Sequence, residues 1–140
     1  MKKFRYNEQI LGGGNIMKVL LVDDSLTIRL QLKSAFVEKG WEVEEAESGE
    51  KALEILGNTK FDLLITDQNM PGLHGTDMVD VLRNQDKQLN QHIKTIFLTS
   101  DTTSSLKQSA KNLGASAFAL KPLNMPAFFK IVQKVIEPED

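Results

Sequence analysis

Between Lys18 and Ile136 the chain alternates short apolar runs with longer stretches of helical period, and few folds accept that pattern. Val19 to Val22 is an apolar run of strand length. Ile28, Leu32, Ala35 and Phe36 follow at i, i+4, i+7 and i+8, one face of a helix that Gly40 stops. Trp41 to Ala46 alternates polar and apolar residues and reads as a second strand. Ser48 caps a helix with Ala52, Leu53 and Leu56 inside and Lys51 and Glu54 outside, ending at Gly57. Leu63, Leu64 and Ile65 form a third strand leading to Asp67, and the Pro71-Gly72 turn follows. Met78, Val79 and Leu82 mark a third helix, before a polar loop from Asn84 to Gln91. Ile93 to Leu98 is a fourth strand, Leu106, Ala110 and Leu113 mark a fourth helix closed by Gly114, and Ala115 to Leu120 is a fifth strand. Met125, Phe128, Phe129, Val132, Val135 and Ile136 make the stripe of a last helix, with Pro126 tolerated in its first turn and Pro138 beyond its end. Five strands alternating with five helices predict an α/β protein whose parallel sheet is covered on both faces. Right-handed crossovers make a doubly wound, three-layer sandwich the simplest topology.

Residues 1–16 stand apart from this alternation. Lys2, Lys3 and Arg5 make the segment basic, and Gly12-Gly13-Gly14 interrupts any continuous element. The segment reads as an extension or leader, with Met17 able to serve as an alternative start and residues 17–140 forming one domain. The chain of 140 residues is long enough for that domain to bury a core without staples, and it has no cysteine, which excludes disulfides, thiolate zinc and thiol catalysis. A net charge of -2 argues against sequence-independent nucleic-acid binding. No apolar run reaches the about 18 residues of a membrane span, and no signal-peptide core opens the chain; the expectation is a cytoplasmic protein.

The chemistry gathers at one edge of the sheet. In a parallel doubly wound sheet the carboxyl ends of the strands line the ligand crevice. Here the first strand ends in Asp23-Asp24, the third in Asp67, the fourth in Thr99-Ser100-Asp101 and the fifth in Lys121-Pro122. Taken singly, each has an ordinary use: Asp23-Asp24 as a helix cap, Asp67 in a turn, Lys121 in solvent. Together they bring three acids, a hydroxyl and an ammonium to one place. Two carboxylates about 5 Å apart repel by roughly 3 kcal/mol at an effective dielectric near 20, so three require cations or shifted pKa values. A divalent ion with Lys121 balances them, and an oxygen-only donor set without His or Cys suits Mg²⁺, with Mn²⁺ able to substitute. Such a site is fit for phosphoryl transfer, with Asp67 attacking phosphorus, the cation and Lys121 drawing charge from the transferring oxygens, and Thr99 bonding the product.

The motifs Leu21-Val22-Asp23-Asp24, Asp67 followed by Asn69-Met70-Pro71-Gly72, Leu98-Thr99-Ser100 and Lys121-Pro122 give the chain a family likeness. From Lys18 to about Ile136 it resembles the receiver domain of two-component response regulators, in the single-domain CheY-like layout. The resemblance implies a flavodoxin-like fold of strand order 2-1-3-4-5. It implies that Asp67 is the phosphoacceptor, that Asp24 binds Mg²⁺ directly, that Asp23 helps directly or through water, and that the main-chain carbonyl of Asn69 is a further ligand. Lys121 and Ser100 would contact the phosphoryl group, and the bond to Pro122 would be cis. The donor would be the phosphohistidine of a histidine kinase or phosphotransfer protein, or a small phosphodonor.

The resemblance also implies a switch. Phosphorylation adds a doubly charged group beside Thr99, whose hydroxyl moves toward it, and Phe118 on the fifth strand turns into the vacated space. The fourth helix, fifth strand and fifth helix would then form the output face for a downstream target. Asn69 and Asp101, each two residues past Asp67 and Thr99, would tune hydrolysis of the acyl phosphate; Asp101 has the alternative use of capping the fourth helix. The protein is expected to be a monomer or weak dimer, to catalyse only its own phosphorylation and dephosphorylation, and to act in a phosphorelay such as that of chemotaxis. A receiver cut from a multidomain regulator or hybrid kinase is the near alternative. Two more distant ones are weaker. A flavin or nucleotide module would place Gly, Ser or Thr amides where Asp23-Asp24 stands, and an Mg²⁺-dependent aspartyl-phosphate phosphohydrolase would carry Asp-x-Asp after the first strand.

Overall fold

The computed structural model describes residues 16–101 and 103–137, so the leader assigned to 1–16 lies almost entirely outside the described residues. Strands and helices alternate: β1 (Lys18–Val22), α1 (Leu26–Glu38), β2 (Glu42–Ala46), α2 (Gly49–Asn58), β3 (Leu63–Asp67), α3 (Gly75–Arg83), β4 (Lys94–Thr99), α4 (Ser104–Asn112), β5 (Ala117–Leu120) and α5 (Met125–Ile136). The five strands form one parallel sheet of order β2-β1-β3-β4-β5. The expected doubly wound α/β architecture is the one observed.

Strand alternation divides the core in two. From β1, Val19 and Leu21 point to one face and Leu20 and Val22 to the other; from β3, Leu63 and Ile65 oppose Leu64; from β4, Ile96 and Leu98 oppose Phe97. The first face is closed by α1 and α5, where Phe36 packs edge-on against Trp41, Phe128 and Phe129. The second is closed by α2, α3 and α4 through Ala52, Leu56, Met78, Val79, Leu82 and Ala110. Because both faces of the central strands are buried, β1 and β3 read as nearly unbroken apolar runs.

The boundaries differ from the sequence expectation in small ways, each with a cause. Helix α2 runs one residue past Gly57, with the Asn58 amide donating to the Glu54 carbonyl. Trp41, Ile93 and Ala115 are apolar neighbours of strands, buried or half-buried, and lie outside them; their apolarity serves the core and not the sheet. Leu113 is the C-cap of α4, and its half-buried side chain packs against the same core cluster as Ala110. No helix among the described residues is long and apolar enough to cross a membrane.

Candidate phosphoryl-transfer and metal site

Sheet register assembles the site before any side chain is considered. Val22 pairs with Thr66, so Asp23, one residue on, stands level with Asp67 on the neighbouring strand. Asp67 pairs with Leu98, and Thr99 pairs with Leu120, which brings Lys121 to the same edge. The Lys121 N–H donates to the Thr99 carbonyl at 3.0 Å, and the Lys121–Pro122 peptide is cis.

Four charged side chains converge there. Lys121 Nζ lies 3.1 Å from Asp67 Oδ1 and 3.2 Å from Asp23 Oδ2. One carboxylate oxygen from each of Asp23, Asp24 and Asp67 lies within 4.8 Å of the others. Asp23 and Asp67 are buried and Asp24 is exposed, so the cluster is a mouth with one acid on its outer lip. Three carboxylates against one ammonium leave two negative charges uncompensated. Burial, and then the negative charge of Asp23, push the Asp67 carboxyl above the ordinary aspartate range; Lys121 and the Asn69 backbone pull the other way and do not win. Burial draws Lys121 down, but Asp23 and Asp67 outweigh it and hold the ammonium above its ordinary value.

The residues present fit a divalent ion. The donor set is all carboxylate oxygen, and the buried Asp23 Oδ2 faces the Lys121 ammonium, which it shares with Asp67. The other Asp23 oxygen accepts from the Ser25 N–H at 2.9 Å, which fixes the carboxylate at the mouth. Ser25 itself caps α1, accepting from the Ile28 N–H.

The remaining predicted residues lie around this centre in different roles. Thr99 is buried, and its hydroxyl accepts from the Asp101 N–H at 2.9 Å. Ser100 and Asn69 are exposed beside it and beside Asp67. Asp101 does not cap α4: that position belongs to Thr103, whose hydroxyl takes the Leu106 N–H, while Asp101 Oδ1 accepts from the Thr103 N–H. The capping alternative for Asp101 is therefore corrected. Phe118 is half-buried and packs on Phe97, its register partner, at 6.1 Å between ring centres.

Two residues that sequence reasoning passed over support the acids. Arg29 Nη1 donates to the Asp23 carbonyl at 2.7 Å and Nε to Glu45 at 3.0 Å, tying α1, β2 and the first acid together. Its spacing of four from the Ser25 cap puts it above the first turn of α1, the one signal that could have marked it. Gln68, next to Asp67, bonds Thr76 of α3 through both ends of its amide. Nothing in the local sequence announces that pair.

Known proteins resemble this chain over most of its length. A profile described as "Response regulator receiver domain" matches residues 19–133. The chemotaxis protein CheY of Pseudomonas aeruginosa is 31% identical over 122 residues, covering 86% of this chain and 97% of that protein. The structure of the Vibrio cholerae chemotaxis protein CheY4 superposes with a TM-score of 0.80 at 36% identity, covering 86% of this chain and 99% of that one. The response regulator TrrA of Thermotoga maritima, solved in complex with Mg²⁺-BeF, superposes with a TM-score of 0.74 at 31% identity, covering 86% of this chain and 99% of that one.

Proposed function

The chain belongs to the response regulator receiver family, and from that premise we propose that it is a phosphoacceptor switch in which Asp67 takes the phosphoryl group. The observation that carries this reading is the cluster of Asp23, Asp24 and Asp67 with the Lys121 ammonium 3.1 Å from Asp67. An Asp67 oxygen forms the new bond to phosphorus while the bond from phosphorus to the donor breaks. That is a P–N bond for a phosphohistidine, whose imidazole leaves with the electron pair, or a P–O bond for acetyl phosphate, whose acetate leaves. Only the ionised carboxylate attacks, so Lys121 does two things: it pulls Asp67 toward its charged form, against burial and Asp23, and it faces the incoming phosphoryl oxygens.

Asp24, Asp67 and the Asn69 carbonyl would hold Mg²⁺, with Asp23 joining directly or through water, and Mn²⁺ fits the same donors. When bound, the ion supplies the positive charge that the cluster lacks. The complex of TrrA with Mg²⁺-BeF supports Mg²⁺ as the resident ion. Ser100, exposed at the mouth, adds a hydroxyl for the phosphoryl group.

Phosphorylation then competes for the Thr99 hydroxyl. That hydroxyl now accepts from the Asp101 N–H and donates weakly to the Asp101 carbonyl at 3.5 Å; turned toward the new anion it donates there instead, and it leaves space beside Phe97 into which Phe118 rotates. The face formed by α4, β5 and α5 carries the change to a downstream partner, and Leu120, which is 53% exposed on β5, gives that face an apolar contact. Asn69 and Asp101 flank the approach of water and set the lifetime of the acyl phosphate. The phosphodonor partner is a histidine kinase or phosphotransfer protein, the receiver spans residues 17–140, and the protein works in the cytoplasm as a monomer or weak dimer. The names of the Pseudomonas and Vibrio relatives support a role in chemotaxis.

The test is labelling by acetyl phosphate in Mg²⁺, read by intact mass. The wild-type chain should take one phosphoryl group and Asp67→Asn none. Undiminished labelling of that variant refutes the assignment, and sustained turnover of phosphodonor far beyond one equivalent, with no phosphorylated protein accumulating, points to the phosphohydrolase instead.

A further inference from the structure

Helix α3 begins without the usual help. Its N-cap residue, His74, makes no side-chain hydrogen bond to the first turn, which leaves the opening N–H groups in need of acceptors. Gln68 supplies them. Its carbonyl accepts from the Gly75 N–H at 3.0 Å and its side-chain Oε1 accepts from the Thr76 N–H at 2.9 Å, while Nε2 donates to Thr76 Oγ1 at 3.1 Å. The Gln68 N–H is in turn donated to the Leu98 carbonyl of β4 at 3.1 Å. The residue between Asp67 and Asn69 is thus held on one side by the sheet and on the other by a helix start.

Gly75 closes the same contact from below. A Cβ there would collide with the main-chain oxygen of Asp67 and press on Gln68, so the absence of a side chain is what lets α3 sit directly against this strip of backbone. The clamp therefore holds the residue that lies between Asp67 and Asn69, the two whose atoms, in the reading above, meet the ion and the phosphorus.

We infer that Gln68 is a positioning residue for the metal and phosphoacceptor site, acting through its paired hydrogen bonds to Thr76 at the start of α3. The inference rests on the proposed function for the identity of the ion. It says that the Asn69 carbonyl and the Asp67 carboxylate are aimed by α3, and not by the loop of residues 69–72 alone. Groups that orient metal ligands without touching the metal commonly change affinity about 10–100-fold when lost.

Three variants separate orientation from simple helix capping. Gln68→Met keeps the bulk and removes both polar atoms; Thr76→Val removes the hydroxyl and keeps the shape; Thr76→Ser keeps the hydroxyl. Mg²⁺ affinity is measured by calorimetry with no phosphodonor present, alongside the urea midpoint and amide exchange at Gly75 and Thr76. Gln68→Met should weaken Mg²⁺ about tenfold, the lower end of that range. Thr76→Val should weaken it less, and Thr76→Ser should restore wild-type affinity. A Gln68→Met protein with faster exchange at Thr76 and a lower urea midpoint, but unchanged Mg²⁺ affinity, overturns the proposal and leaves Gln68 a helix cap. Should Gln68→Met not fold, the Val and Ser variants at position 76 decide: equal Mg²⁺ affinity in the two overturns it. Wild-type protein that binds Mg²⁺ but takes no phosphoryl group sinks the phosphoacceptor reading, while the affinity ratios still judge the clamp. A wild type with no Mg²⁺ affinity overturns both.

Discussion

The two ends of the sheet both bury polar groups, and they treat them in opposite ways. At the amino end, Asn90 is 1% exposed and every polar atom of its side chain is used. Its Oδ1 accepts from the Phe61 N–H at 2.9 Å, and its Nδ2 donates to the carbonyls of Leu56 and Thr59, both at 2.8 Å. Near it, Arg83 donates to the carbonyls of Leu113, Gln91 and Ile93 and to the Thr95 hydroxyl, neutral oxygens throughout, and burial alone lowers its pKa. At the carboxyl end, three acids share one lysine, whose ammonium is divided between Asp23 Oδ2 and Asp67 Oδ1. One end is a closed account of donors and acceptors; the other is left with charge to spare. A satisfied buried network fixes a fold, whereas an unsatisfied one persists because something else completes it.

The largest stability effect should come from the satisfied end. Asn90→Ala strands a buried N–H and two carbonyls; at about 1–3 kcal/mol for each group left unpaired the sum is roughly 3–9 kcal/mol, and with the Thr59 carbonyl only part-buried the loss should fall in the lower half of that range. Urea unfolding measures it. Labelling of Asp67, read where the variant is still folded, should be unchanged. If instead Asn90→Ala costs little, or lowers labelling of the folded protein, the two ends are not the separate devices described above.

Next in size is the response to Mg²⁺. An ion that binds the folded chain alone should add about 2.7 kcal/mol at a hundred times its Kd. The increment should be the same in Asn90→Ala as in wild type and should shrink sharply in Asp24→Asn, which removes the acid on the outer lip. An increment that follows Asn90 and ignores Asp24 would place the ion elsewhere.

This contrast also explains what could be read from the sequence. The strands and the acids at their ends were legible because both signals are local: an apolar run declares a buried strand, and the residue after it must stand at the sheet edge. Asp23, Asp67, Thr99 and Lys121 all fell to that reasoning. The satisfied end was not legible. Asn90 and Arg83 sit in and before a stretch that reads as a polar loop, and Asn90 reaches partners 29 to 34 residues away, a distance at which polar residues leave no periodic trace. Gln68 and Arg29 were missed for the same reason, since their partners belong to other elements. The Asp101 cap stays an open alternative in the sequence because Asp101 and Thr103 are both good capping residues and lie two apart; only the backbone decides between them.

The smallest predicted effect is the most particular to the acid end. With Asp67 held above the ordinary aspartate value of 3.8, the folded chain keeps a proton at pH values where the unfolded chain has lost it. Stability then falls as pH rises from 3.8 through the folded pKa, because in that window the native state binds more protons than the unfolded one. Above the window the penalty is constant. Asp67→Asn has no such carboxyl, so the difference in urea stability between wild type and variant, measured without metal, should shift in favour of the variant across that window and then level off. Saturating Mg²⁺ should reverse the trend in wild type, since the ion needs the ionised form, and its affinity should begin to fail at a higher pH than a free aspartate would set. Lys121, held above its ordinary value by the same acids, contributes stability that is full below 10.5 and fades only as pH climbs through its folded pKa, so it leaves the acid window clear. A difference curve that stays flat across the acid window would mean that Asp67 is no less comfortable than the buried polar groups at the other end, and the contrast between the two ends would lose its electrostatic basis.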